Sequence, residues 1–315
     1  MTRDLSIEFP NAFYHAFSRG INRQRLFYDD EDHRVFIHLC RKAVIKYGIR
    51  IYAFCLMSNH YHLYLCTPHA NIAKTMKFIN QSYAIFFLAK YPEKDGHVFK
   101  GRYKRKIVDS DQYSKTLINY IHNNPVAAKI KEKPEEYQWS SYQSYIKAEL
   151  RYDFIDYSWT LNQFGSGAKQ IDQFIKFHQK NTNSSWDPEK EARAQIFLAD
   201  DSFIKSICDQ YIDFDQLEGK SIKGVKELKA ICNHESLLEV INSRVQSNDH
   251  RFKITAYLLK EYTDITNKEI GKLINKSEAA VAKNIQRFKK LLDRDQSFKA
   301  EIRNLIKMSN VRIRP

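Results

Sequence analysis

Ile51-Tyr52-Ala53-Phe54-Cys55-Leu56-Met57-Ser58-Asn59-His60-Tyr61-His62-Leu63-Tyr64-Leu65 is the stretch that decides the fold. Two runs of aromatic and large apolar residues flank a short polar turn. That pattern predicts two strands, residues 50–56 and 60–66, paired as an antiparallel hairpin. On the second strand His60 and His62 are two apart, so both imidazoles point to one face and Tyr61 to the other. Neutral imidazole is a common ligand of divalent metals, and two on one face form two legs of a metal site. Alone, such a pair is more often two surface histidines. A third ligand has to come from elsewhere in the chain.

Upstream of the hairpin, residues 13–17 read as a strand, followed by the basic turn Arg19-Gly20-Ile21-Asn22-Arg23. Residues 31–47 have helical spacing at Val35, Phe36, Leu39, Ala43 and Val44, and Gly48 is a C-cap. Downstream, residues 70–90 form a second helix with Ile72, Met76, Ile79 and Tyr83 in its apolar stripe. Residues 96–108 read as a fourth strand with alternating charge. Residues 112–123 form a third helix, closed by Asn124-Pro125 because a residue before proline avoids the helical region. Strands in hairpins mixed with helices predict an α+β fold with an antiparallel sheet, not a parallel doubly wound one.

The third helix carries Tyr120-Ile121-His122-Asn123-Asn124-Pro125. Tyr120 and Asn124 are four apart and share a face. The Asn124 side-chain carbonyl suits the missing ligand, and two imidazoles with one amide oxygen suit Mg²⁺ or Mn²⁺. Tyr120 then stands one turn from the metal. A phenolate attacking a phosphodiester yields a covalent phosphotyrosine, which conserves the bond for a later rejoining step. A core tyrosine and a plain helix stop are the competing explanations of Tyr120 and Asn124-Pro125.

Several stretches in this order carry a family resemblance. They are Tyr14-His15-Ala16-Phe17-Ser18-Arg19-Gly20, Phe27-Tyr28-Asp29-Asp30-Glu31-Asp32, Leu56-Met57-Ser58-Asn59-His60-Tyr61-His62, Gly96-His97-Val98-Phe99-Lys100-Gly101-Arg102-Tyr103, Tyr120-Ile121-His122-Asn123-Asn124-Pro125-Val126 and Trp139-Ser140-Ser141-Tyr142. Over residues 10–145 the chain resembles the HUH single-tyrosine transposases, closest to the REP-associated tyrosine transposases. The resemblance implies a ferredoxin-like sheet with helices on one face. It also implies a divalent metal and cutting of single-stranded DNA near a hairpin through a 5′-phosphotyrosine. By position it makes His60 and His62 the metal-binding pair, Tyr120 the nucleophile and Asn124 the third ligand. Trp139-Ser140-Ser141-Tyr142 reads as packing.

The chain has 315 residues and a net charge of +14, which favours a polyanionic partner, nucleic acid before membrane. Candidate phosphate contacts are Arg19 and Arg23 after the first strand, then Lys100, Arg102, Lys104 and Lys106 on one face of the fourth, with Arg105 opposite. Interleaved Tyr and Phe residues can stack unpaired bases. Five scattered cysteines without paired spacing suit a reduced, cytoplasmic protein. No apolar run reaches transmembrane length.

The pattern loosens over residues 151–190, read as a linker between a nuclease domain (1–150) and a helical domain (191–315). Asn181-Thr182-Asn183-Ser184-Ser185 is typical of it. In the C-terminal part Thr266-Asn267-Lys268-Glu269 is a capping box opening a short helix, and Ser277 caps a longer one. Val281, Ile285, Phe288 and Leu292 give that helix a core face, while Lys283, Gln286, Arg287 and Lys290 lie away from it. Helix, tight turn and basic helix match a helix-turn-helix that binds duplex DNA. A plain helical bundle is the alternative. The stretch also resembles the DNA-binding domain of the replication initiator DnaA through Tyr257-Leu258-Leu259-Lys260-Glu261-Tyr262-Thr263 and Glu269-Ile270-Gly271. It departs at Ser277-Glu278-Ala279-Ala280, where that family has Asp-His-Thr-Thr. The expected function is a metal-dependent single-strand endonuclease and strand transferase, monomer or homodimer. The alternative is a non-catalytic DNA-binding regulator derived from a transposase.

Overall fold

A computed structural model of the chain describes residues 3–182, 184–214, 222–244, 248–262 and 265–308. Asn183 of the expected linker and Thr263 of the initiator-like stretch lie outside the described residues. The chain divides into two compact units, Ser6–Ala199 and Met1–Leu5 with Asp200–Pro315. The short strand β1 (Arg3–Asp4) belongs to the latter, where it pairs in parallel with β7 (Ile222–Lys223).

The unit Ser6–Ala199 is built on β2 (Ala12–Arg19), β3 (Arg50–Met57), β4 (His60–Thr67), β5 (Lys104–Val108) and β6 (Phe197–Leu198). They form a five-stranded sheet in the order β3-β4-β2-β5-β6. The expected hairpin is present, with Met57 opposite His60 and Cys55 opposite His62. β2 lies on the other side of β4, with Phe17 opposite His62 and Arg19 opposite His60. The sheet is mixed and not purely antiparallel, because β6 pairs with β5 in parallel.

Helices are α1 (Asp30–Tyr47), α2 (Ile72–Lys90), α3 (Ser110–Ala127), α4 (Tyr142–Ile146), α5 (Tyr157–Asn162), α6 (Gln170–Lys180) and α7 (Pro188–Glu191). They cover both sheet faces, where the resemblance implied one. Tyr61 donates to Asn80 Oδ1 on α2 at 2.6 Å and packs on Phe36 of α1, ring centroids 4.6 Å apart. From the opposite face Tyr64 reaches Ser114 of α3, and Trp159 of α5 packs on Tyr52 and Phe13. Double coverage explains why β3 and β4 are buried almost throughout and read as continuous apolar runs without alternation. α1 begins and ends as its sequence requires. Asp29 and Asp32 form a capping box, and Gly48 closes the helix at φ +64°.

Three further expectations are corrected. The fourth strand starts at Lys104, not at residue 96. Gly96 and Gly101 adopt φ of +83° and +93°, which interrupts an extended run, so Lys100 and Arg102 stand outside the strand. The third helix does not stop at Asn124 but passes through Pro125 to Ala127. Pro125 is buried, and the following turn bonds back to Asn124 and Pro125 carbonyls, so packing outweighs the lost backbone donor. Residues 151–190 are not a linker. They contain α5, α6 and α7 within a unit that runs to Ala199.

The C-terminal unit holds α8 (Asp201–Tyr211), α9 (Val225–Arg244), α10 (Asn248–Tyr262), α11 (Asn267–Leu273), α12 (Glu278–Arg294) and α13 (Gln296–Met308). Val281, Ile285, Phe288 and Leu292 enter its core beside Ile254, Leu258 and Ile270. The Thr266–Glu269 capping box forms in both directions. The turn between α11 and α12 is tight, because Lys276 N–H donates to the Gly271 carbonyl at 2.8 Å. A Cβ on Gly271 would stand 2.5 Å from the Lys276 carbonyl oxygen, so this position excludes a side chain. Among the described residues no helix is long and apolar enough to cross a membrane.

Candidate active site

The strand phase sets which side chains meet. Arg19, Phe17 and His15 on β2 face the same way as His60, His62 and Tyr64 on β4. α3 crosses this face, with Tyr120 and Asn124 one turn apart on the side turned to the histidines. His60 Nε2 lies 3.3 Å from Asn124 Oδ1, and His62 Nε2 lies 3.4 Å from Asn124 Nδ2. The Tyr120 ring stands edge-on to His62 at 5.6 Å. The four residues singled out by sequence therefore form one cluster. The continuity of α3 through Pro125 holds Asn124 in rigid register with Tyr120.

His62 is buried and His60 half-buried. Desolvation lowers the pKa of both, for His62 well below the ordinary histidine value, helped by the neighbouring His15 and His60. Arg19, opposite His60 on β2, pushes His60 the same way. Both rings are thus neutral at neutral pH, the form that ligates metals. His60 Nδ1 is held by Asn59 Oδ1 at 2.7 Å, which leaves Nε2 toward Asn124. Two imidazole nitrogens and one amide oxygen converge here, a mixed nitrogen and oxygen donor set that fits a divalent cation. Asn124 supplies the third protein donor. Among the described residues no group of three His, Cys, Asp or Glu side chains could hold a metal ion. Burial pushes the Tyr120 phenol up to about 12, and the Asp187 carboxylate adds to the rise. Tyr120 is protonated at rest and needs assistance to act as a nucleophile.

Sequence reasoning missed the far wall. Trp186 packs edge-on to Tyr120 at 5.8 Å, and Asp187 follows it as the N-cap of α7. Both fall in the stretch read as linker, where composition gave no sign of a role. Sequence reasoning assigns no role to His15 either, although strand phase alone aligns it with Phe17.

The basic residues separate. Arg19 and Arg23 are exposed at the end of β2, and Lys100 donates its backbone N–H to the Arg19 carbonyl at 2.9 Å. Arg102 is exposed. Lys104 stands over the Phe17 ring and pairs with Glu189 at 3.0 Å. Lys106 is buried, and its ammonium donates to the Gln195 carbonyl at 2.5 Å, so it faces no solvent-borne phosphate. Arg105 points away from the histidines and bonds Glu8, Tyr103 and Ser6. Burial thus explains two cations that sequence reasoning assigned to DNA. Ser140, Ser141 and Tyr142 are buried, with the preceding backbone bonded along the edge of β3, in line with a packing role. In the C-terminal unit Lys283, Gln286, Arg287 and Lys290 are all exposed on α12.

Residues 8–124 match the family described as "Transposase IS200 like". The matched segment contains His60, His62, Tyr120 and Asn124, and ends on the last of them. Among solved structures, the chain is similar to a REP-associated tyrosine transposase bound to a REP hairpin. The identity is 13% and the TM-score 0.42, covering 50% of this chain and 92% of that one. It is also similar to the tRNA(His) guanylyltransferase of Saccharomyces cerevisiae, at 9% identity and a TM-score of 0.31, covering 61% of this chain and 85% of that one. No curated protein matches the chain.

Proposed function

We propose that this protein is a transposase-type, metal-dependent single-strand DNA endonuclease and strand transferase. The observation that carries the reading is the convergence of His60 Nε2, His62 Nε2 and the Asn124 amide beside the Tyr120 ring. The match of residues 8–124 to the IS200-like transposases supports it independently. In this reading the Tyr120 oxygen attacks a phosphodiester phosphorus in single-stranded DNA. The bond to the 3′ oxygen breaks, that oxygen leaves as a free 3′-OH with a proton, and the 5′ phosphate stays on Tyr120. His60, His62 and Asn124 would hold Mg²⁺ or Mn²⁺, which when bound polarises the scissile phosphate. Arg19, directly opposite His60, and the exposed Arg23, Lys100 and Arg102 would receive flanking phosphates. Hairpin-bearing single-stranded DNA is the proposed substrate, because the resemblance of the stretches around the site to the REP-associated tyrosine transposases implies cutting near a hairpin. The exposed basic face of α12 would grip adjoining duplex as a helix-turn-helix does.

The test is a labelled single-stranded hairpin from the gene's own flanks, incubated with protein and Mn²⁺. The expected product is a labelled adduct that survives SDS, lost in Tyr120→Phe while gel-shift binding persists. Binding without any cleavage or adduct, under all metals tried, would favour the alternative of a non-catalytic DNA-binding regulator.

A further inference from the structure

His15 has no part in the chemistry proposed above, yet it is hydrogen-bonded directly to one of the site histidines. Its Nε2 lies 2.9 Å from His62 Nδ1. The two rings are nearly coplanar and meet edge to edge, centroids 5.1 Å apart with an 18° tilt, and Phe17 stacks on His15 at 4.8 Å. The Tyr120 ring stands edge-on to it at 6.2 Å. The ring is buried, and its other nitrogen, Nδ1, is buried without a hydrogen-bond partner.

A neutral imidazole carries one ring hydrogen. The 2.9 Å contact therefore joins one donor to one acceptor, and two arrangements exist. If His15 Nε2 donates, the His62 hydrogen sits on Nε2 and points at Asn124 and His60. If His62 Nδ1 donates, His62 Nε2 is left with a free lone pair. The Asn124 amide, 3.4 Å from His62 Nε2, donates or accepts according to how it is turned, so it is the proposed ligation through His62 Nε2, which needs the free lone pair, that selects the second arrangement. The His15 hydrogen then falls on Nδ1, the atom that meets no acceptor. A buried donor without a partner is rare and costly, and its presence here calls for a role that requires it.

We infer that His15 is a positioning residue: its Nε2 accepts the Nδ1 hydrogen of His62 and so keeps the His62 Nε2 lone pair aimed at the point where His60 and Asn124 converge. This rests on the proposed metal role of that triad. The partner of a ligating histidine's second nitrogen fixes both ring orientation and tautomer, and its loss typically lowers metal affinity by about 10- to 100-fold. β2 provides a rigid base for it, since His15 lies on the strand beside β4 and is clamped between Phe17 and His62.

The experiment uses the full chain with three substitutions and two readouts. His15→Phe keeps a flat ring but removes the acceptor, His15→Gln restores a carbonyl acceptor, and His62→Ala reports the metal site itself. Mn²⁺ affinity is read by electron paramagnetic resonance. The His62 tautomer is read by ¹⁵N NMR of the metal-free protein. Expected are a loss of roughly tenfold or more in Mn²⁺ affinity for His15→Phe, partial recovery in His15→Gln, and a wild-type His62 protonated on Nδ1. A folded His15→Phe with wild-type Mn²⁺ affinity overturns the inference, as does a wild-type His62 protonated on Nε2. If His62→Ala leaves Mn²⁺ binding unchanged, the metal reading itself has failed. The NMR arm then still decides, because His15→Phe must release the Nδ1 tautomer of His62. Should His15→Phe not fold, the wild-type tautomer and the His15→Gln affinity decide between the two arrangements.

Discussion

Acid should loosen the unit Ser6–Ala199 through a second, structural pair of histidines. His122 on α3 and His178 on α6 are both fully buried. His122 Nδ1 meets His178 Nε2 at 3.0 Å, and His122 Nε2 meets Ser141 Oγ at 2.8 Å. His178 Nδ1 meets the Phe174 carbonyl at 2.9 Å. The chain thus tied runs from α6 through α3 to the strand edge at Phe54, whose N–H donates to Ser141 Oγ. Burial lowers His178 from 6.5 to about 4, and His122 falls in the same direction. Above the unfolded value both states are neutral and nothing is lost. As pH falls through it, the unfolded chain takes up a proton that the folded chain refuses, so stability drops until the folded value is reached. For His178 alone the full loss is ~3 kcal/mol, of which ~2 kcal/mol has been lost by about pH 5. The assay is urea unfolding of wild type and His178→Phe at about pH 7.5 and about pH 5. The variant starts lower by ~1–3 kcal/mol, because His122 loses a partner in the core. It should then lose ~2 kcal/mol less than wild type on acidification. Equal losses in the two proteins would refute a buried, neutral His178.

Other perturbations act on the site and its support. His60→Ala with His62→Ala should abolish cleavage and Mn²⁺ binding while the circular dichroism spectrum stays unchanged, since the site-facing edges of both rings meet each other and Asn124. Asn124→Ala should slow cleavage by about tenfold and not abolish it, because water can replace one neutral oxygen ligand of Mg²⁺. Gly48→Ala should destabilise the fold by ~1 kcal/mol in urea unfolding, as φ +64° is strained for any residue with a Cβ. Lys283→Glu with Arg287→Glu in the full chain should weaken duplex binding in gel shifts and flatten its salt dependence, with cleavage of single strands retained.

The hairpin and the clustering of the candidate site's residues are legible in the sequence for the same reason: both are written in short-range spacing. A two-residue period puts His60 and His62 together, and a four-residue period does the same for Tyr120 and Asn124. The ends of α1 were equally plain, because Asp29, Asp32 and Gly48 act locally. What failed depended on distant packing. Pro125 reads as a stop, yet buried contacts carry α3 past it. Residues 151–190 read as linker because their pattern loosens and Asn181-Thr182-Asn183-Ser184-Ser185 is a linker-like run, while Phe174, His178 and Trp159 fill specific places against α3 and the sheet. Lys106 and Arg105 read as two basic faces of a strand. Only the parallel addition of β6, with Gln195 just before it, shows that Lys106 is enclosed. His15 was hidden in another way, since its role depends on a neighbour on a different strand.

Mapping the covalent bond tests the central claim most directly. After reaction with single-stranded hairpin DNA and Mn²⁺, the protein is digested with nuclease and protease and the peptides are weighed. The account predicts a residual 5′-linked nucleotide on the peptide containing Tyr120 and on no other tyrosine. A nucleotide on a different residue, or an adduct of undiminished yield in Tyr120→Phe, would contradict it.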